Sequence, residues 1–269
     1  MKLQQLISKK NGAEENTRDI RNYLNMFSPP YEQENFDYEL KESIVRYSNA
    51  LSNRLKLYKE NYKKCDWVKK EDPFVIAMAS YAQVDYGREY IYGMLALLFG
   101  VYFEEQNLGY TLKDSIIKNN SQSSIPLGVF FNESFKDISA IIFSSTTTIG
   151  KVSATIASKE DYAQNTVLTL YHDLMDEDIP FKINIVTPNS AELLEDGLFI
   201  FHNPNASNPL DLKFFNSPGI TQIFIDKNMR VRYTGNHCPT IARLDLPNEL
   251  INIFGDRIFR QVEAYNYNY

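Results

Sequence analysis

Cysteine is nearly absent from the chain: 269 residues hold only Cys65 and Cys238. Two thiols cannot build a disulfide framework, and such sparing use fits a reducing compartment. His237 and Cys238 have no second Cys or His at metal-ligand spacing, which argues against zinc, and no surrounding signature marks Cys238 as a nucleophile. Glycine is also scarce, at 11 residues, and neither GREYIYG nor FGVYF has the spacing of a dinucleotide or P-loop motif. Nucleotide hydrolysis is therefore not expected. No stretch reaches the roughly 18 apolar residues of a membrane span, and the opening MKLQQLISKKNGAEEN lacks the apolar run of a signal peptide. The chain reads as cytoplasmic and free of the membrane. No internal repeat is found.

What is present is the composition of a globular protein: 43% hydrophobic residues, 13% aromatic, 23% charged and a net charge of −6. Residues 1–35 form a peripheral segment with one short helix expected over Thr17–Met26, ended by Ser28-Pro29-Pro30. In NFDYELK, Phe36, Tyr38 and Leu40 alternate with Asp37, Glu39 and Lys41, the period of a half-buried strand. An amphipathic helix follows, with Ile44, Tyr47, Leu51, Leu55, Tyr58 and Tyr62 on its apolar side. The unbroken run Phe74 to Ala79 suggests a central strand covered on both faces, and Arg88 to Glu104 a further helix. Beyond residue 106 short apolar segments at 126–131, 138–144, 167–171 and 181–186 read as strands. FHNPNASNPLD (201–211) reads as an ordered loop or a turn pair, ITQIFID and MRVRYTG as a hairpin turning at Lys227-Asn228, and the tail YNYNY as frayed or an added surface contact. The expected fold is α/β. A mixed-sheet core at 36–105 would be packed against a β-rich C-terminal part at 106–269.

The strongest local arrangement for chemistry is Asp37-Tyr-Glu39-Leu-Lys41. On a strand, residues two apart share a face, so a carboxylate able to hold a divalent cation would stand beside an ammonium able to position a water. The same spacing also occurs on solvated strand faces. Residues 41–70 add nine cations against three acids, a net of +6, which leaves −12 for the rest of the chain. Such a face could receive a phosphate backbone through Arg54, Lys56, Lys59 and Lys63, or simply be a solvated helix surface. Two other sites carry weaker signals. HDLMDEDIP, from His172 and Asp173, reads as a solvated acidic loop, and His202 as a structural histidine bonded to loop carbonyls.

ELK, the helix SIVRYSNALSNRLKLY and the segment KKEDPFVIAMAS together resemble the PD-(D/E)XK (restriction-endonuclease-like) family. They are most similar to an uncharacterised bacterial subgroup with a Glu-x-Lys strand, an Arg-containing helix and a PFVIA strand. SIPLGVFFNESFKDISAIIFSS and GLFIFHNPNASNPL resemble that subgroup's downstream segments, so the resemblance spans roughly residues 36–245. It implies a nuclease-like core with Glu39 as metal-binding acid, Lys41 as catalytic lysine, Arg46 as supporting cation and Mg²⁺ as cofactor. The family also places an Asp on an upstream strand. Asp37 shares the strand of Glu39 and Asp19 lies in the expected helix, so neither is a clean counterpart. The resemblance thus implies a metal-dependent nuclease of restriction-like or phage-defence type, or a shortened descendant with a degenerate site, or one whose missing acid comes from a partner. The other reading is a non-catalytic module binding nucleic acid or protein, with a homo-oligomer or protein partner equally open.

Overall fold

The structure, a computed structural model, describes residues 29–32, 34–80, 90–144, 149–159, 165–188, 190 and 192–268. The helix expected over Thr17–Met26, and with it Asp19, lies outside the described residues. In chain order the elements are α1 (Phe36–Glu60), β1 (Phe74–Ala79), α2 (Tyr92–Phe99), β2 (Val101–Glu104), β3 (Gly109–Leu112), β4 (Ser115–Ile117), β5 (Ser124–Pro126), β6 (Ile138–Ser144), α3 (Ile149–Lys159), β7 (Asn165–His172), β8 (Phe181–Val186), β9 (Leu198–His202), β10 (Ile220–Ile225), β11 (Val231–Gly235), β12 (Thr240–Pro247) and α4 (Asn248–Asn268). The α/β expectation holds: a mixed sheet is present with several helices.

The chain folds as two compact units, one of them built from Pro30–Thr147 and Glu195–Pro239. The expected division at residue 105 falls inside this unit. Its sheet has the order β1-β6-β9-β10-β11. β1 runs parallel to β6, β6 antiparallel to β9, β9 parallel to β10, and β10 antiparallel to β11. The strands buried along most of their length are β6, β9 and β10. β1 is an edge strand, half-exposed along most of its length, so the central position expected for Phe74 to Ala79 is corrected. Its apolar content is used partly outside the sheet, where Phe74 stacks on Tyr58 of α1 with ring centroids 3.7 Å apart and planes at 8°.

The expected strand at residues 36–41 is also corrected: these residues open α1. The reason is a longer period that the local alternation hides. Phe36, Leu40, Ile44, Tyr47, Leu51 and Leu55 follow one another at intervals of three or four, and all six are buried, whereas Tyr38 is exposed. Asp37 and Glu39 stand in the first turn, where acidic side chains favour the positive end of the helix. Asn35 enters the helix with φ 62°, a left-handed conformation that Asn tolerates.

Other boundaries move for similar reasons. The helix expected over 88–104 is the shorter α2, all eight of whose residues are buried, so no polar face exists to reveal its period. It stops at Gly100, φ 74°, where an added Cβ would lie 3.0 Å from the carbonyl oxygen of Lys113. The strand expected at 126–131 is the end of β5 followed by a 3₁₀ turn at Val129–Phe131. The expected loop at 201–211 is ordered by asparagines: Asn203 donates to the carbonyls of Phe135 and Ile138, Asn205 to that of Phe130, and Asn208 to those of Lys70 and Asp72. The β10–β11 hairpin forms as expected, with the Asp226 side chain accepting from the amides of Asn228 and Arg230.

The second unit draws its described elements from 149–194 and 240–268. It is a three-stranded antiparallel sheet, β12-β7-β8, with α3 and α4 packed on it, so the C-terminal part is less purely β than expected. Ala154 and Ala157 of α3 close on Val167 and Val186. The tail, described through Asn268, continues α4 and makes the added contact that was one of its two expected readings: the Asn266 side chain accepts from the amide of Ile183 at 2.7 Å and donates to its carbonyl at 3.0 Å, satisfying backbone on the edge strand β8.

Candidate functional site

At the start of α1, Asp37 is held by two donors. Its Oδ2 accepts from Lys41 Nζ at 2.6 Å and its Oδ1 from the Tyr102 hydroxyl at 2.6 Å. Tyr102 is fully buried in β2, and Lys113 Nζ lies 4.0 Å from the centre of its ring. Partial burial works to raise the Asp37 pKa, but the hydrogen bonds from Lys41 and Tyr102 and the charges of Lys41 and Lys113 outweigh it, so the carboxyl lies below its ordinary range. Burial, reinforced by Asp37, pushes the Tyr102 hydroxyl well up.

Glu39 and Lys41 do not share a face. Two residues in a helix are separated by about 200° around the axis, and Lys41 turns toward Asp37, one helical turn back. Arg46, further along, is exposed and donates to Ser43 Oγ at 3.0 Å. The resemblance-implied magnesium site does not fit these residues. Both Asp37 oxygens are already engaged by donors that a cation would have to displace, and Glu39 diverges from the lysine it was to work with. Among the described residues no group of three or more His, Cys, Asp and Glu side chains could hold a metal ion.

The basic segment is arranged quite differently. Arg54 and Lys56 are exposed on α1, and Lys56 only loosely approaches Glu60, at 3.9 Å. Lys59 and Lys63 converge on Asp137, at 3.9 and 2.8 Å, and Lys59 also donates to the Ser134 carbonyl. These two cations are therefore partly neutralised and serve to fix α1 to the turn before β6. Lys56, Lys59 and Glu60, with Ser52, Leu55, Ser134 and Phe135, line an open groove of about 350 Å³. Beyond α1, residues 61–73 connect it to the edge strand β1 and carry Lys63, Lys64, Lys69 and Lys70, all exposed. Trp67, the chain's single tryptophan, is 71% exposed there. Its ring centroid is 6.4 Å from that of the exposed Tyr62, with the planes at 55°.

Comparison with family models, curated proteins and solved structures finds no match to this chain.

The remaining polar candidates are accounted for locally. In the acidic loop, Asp173 and Asp176 both bind Lys182, at 3.3 and 2.7 Å, and Asp176 also accepts from the amides of Asp178 and Ile179. His172 stacks on Phe181, and burial drives its pKa down to about 4. His202 is buried and bonded to Gln222 at 2.9 Å, whose amide in turn donates to the Leu212 carbonyl; the expected structural role is what the geometry provides. Sequence reasoning missed Asp137, Tyr102 and Asn208, because each acts on residues more than sixty positions away, and it passed over Trp67 although a lone Trp amid lysines was legible.

Proposed function

We propose that the unit containing α1 is a nucleic-acid-binding module that works without cleavage chemistry of its own. The observation that carries this reading is the net charge of +6 on residues 41–70 of a chain of net charge −6, with Lys56 exposed one turn before the half-neutralised Lys59 on α1 and Lys63, Lys64, Lys69 and Lys70 exposed in the segment that follows. The rest of the chain carries −12, so residues 41–70 are the segment whose net charge favours a phosphate backbone. The groove beside Lys56 and Lys59 gives that backbone a concave path. Asp37 and Lys41 then serve the fold, tying the first turn of α1 to β2.

The test is to incubate the full chain with mixed single- and double-stranded DNA and RNA in Mg²⁺ and in Mn²⁺, following binding and integrity together. Retarded, intact nucleic acid is the expected result. Metal-dependent cleavage lost in both Glu39→Ala and Lys41→Ala would restore the nuclease reading.

A further inference from the structure

We infer that the loop 61–73 is a stacking platform for single-stranded nucleic acid, with Trp67 and Tyr62 receiving bases while Lys64, Lys69 and Lys70 receive phosphates. The inference rests on the nucleic-acid reading above and narrows its ligand.

Three observations converge on it. Exposing an indole to water is unfavourable, and the chain spends its single tryptophan on this loop at 71% exposure, with Tyr62 beside it at 45%. The exposure is not the result of a loosely held loop. Cys65 N–H donates to the Tyr62 carbonyl at 3.0 Å, Val68 N–H to that of Cys65 at 3.0 Å, and Asp72 N–H to that of Lys69 at 3.2 Å, giving three successive turns. The Asp72 carboxylate caps the Lys69 amide at 3.0 Å, and Asn208, from the loop after β9, clamps the carbonyls of Lys70 and Asp72. The backbone is thus fixed while the side chains face solvent, so ordering costs on binding are small. Finally, lysines flank the indole on both sides in sequence, Lys63 and Lys64 before it and Lys69 and Lys70 after it.

Strand number follows from what each duplex leaves open. Inside a duplex every base face is covered by its neighbours, so an exposed ring gains nothing beyond what the lysines already provide. An unpaired base offers a free π-face of any identity, and stacking then adds to the phosphate contacts. The Trp67 and Tyr62 rings, tilted 55° apart, are not stacked on each other, and both remain exposed.

Because Trp67 is the sole indole, its fluorescence reports on the platform without labelling. The full chain is titrated with single-stranded homopolymer DNA and RNA of about 15 nucleotides and with a duplex of equal length, reading Trp67 emission and the anisotropy of labelled nucleic acid. Saturable quenching by single strands, weak response to duplex, and a loss of about 10- to 100-fold in single-strand affinity for Trp67→Ala with duplex affinity unchanged are expected. Tyr62→Ala lowers single-strand affinity in the same direction. Equal affinity for both forms, or a Trp67→Ala protein that loses neither or loses both equally, would overturn the platform while leaving nucleic-acid binding intact. Absence of binding to every probe would remove both readings, and capture of a protein through Trp67 in place of nucleic acid would reassign the loop.

Discussion

Replacing Asp37 by alanine removes an ion pair, a buried hydroxyl's acceptor and a first-turn acid at once, and the cost can be worked from their surroundings. The Lys41–Asp37 pair is an i,i+4 contact with side chains 28% and 44% exposed, so solvent screens it to about 0.3–0.5 kcal/mol. The helix-terminus contribution of the carboxylate is of similar size, about 0.3–1 kcal/mol. The Tyr102 hydrogen bond is the largest part, because its acceptor is charged and Tyr102 is only 1% exposed; losing it costs about 1.5–3 kcal/mol. Alanine's better helix propensity returns about half a kcal/mol. The net is a destabilisation of about 1.5–4 kcal/mol. Urea unfolding of the full chain should show it as a lower midpoint at unchanged slope, and a cycle with Tyr102→Phe should give a coupling above about 1 kcal/mol. Since the folded pKa of Asp37 is depressed, this stability is present above the carboxyl's unfolded value near 3.8 and is lost as pH falls through the folded value. A variant within about 0.5 kcal/mol of wild type, with no coupling to Tyr102, would refute the structural role assigned to Asp37.

The same reasoning gives three further outcomes. His172 is held neutral with a pKa near 4 against 6.5 when unfolded, so the unfolded chain binds the extra proton and stability falls as pH drops from about 6.5 toward 4; because the ring is only partly shielded, replacing it with Phe should flatten this slope by on the order of 1–3 kcal/mol in denaturation at the two pH values. Gly235 has φ +84°, and a Cβ there would lie 2.2 Å from the Ile220 carbonyl oxygen, so Gly235→Ala should cost more than about 2 kcal/mol, whereas an equally stable variant would contradict the β10–β11 geometry. The Arg243 side chain is 1% exposed and donates to Glu192 at 3.1 Å, and Glu192→Ala, which removes that charged acceptor, should destabilise by about 1.5–3 kcal/mol in the same assay.

Much of the architecture could be read from the sequence because its signals are local. The helical stripe from Ile44 to Tyr58, the hairpin around Lys227-Asn228 and the strands at 138–144, 167–171 and 181–186 all announce themselves locally, whereas Tyr62, expected on the same stripe, falls past the helix end and is exposed. The misreadings share one physical cause, which is that a short window cannot see the partner that decides. Phe36, Tyr38 and Leu40 alternate as a strand would, yet Phe36 and Leu40 also extend the helical stripe by one turn, and burial against Tyr92 and Phe103 selects the helix. Phe74 to Ala79 is apolar enough for a sheet centre, but strand order is a long-range property and places it at the edge. The consequence for the candidate site is direct: once residues 36–41 are helical, Glu39 and Lys41 diverge, while the charge excess at 41–70, a compositional signal independent of secondary structure, survives as an exposed surface.

Salt dependence is the measurement closest to the central claim. Binding of nucleic acid to wild type and to Lys56→Glu/Lys64→Glu/Lys69→Glu is followed by anisotropy between about 50 and 200 mM salt. Lys56, Lys64, Lys69 and Lys70 with the half-neutralised Lys59 and Lys63 amount to about five charges, each contributing a slope of about 0.7–0.9, which predicts a wild-type affinity that falls on the order of 100-fold over this range, and removing three of them should cut the logarithmic slope by roughly half. An affinity insensitive to salt, or a slope unchanged in the triple variant, would contradict the assignment of this surface.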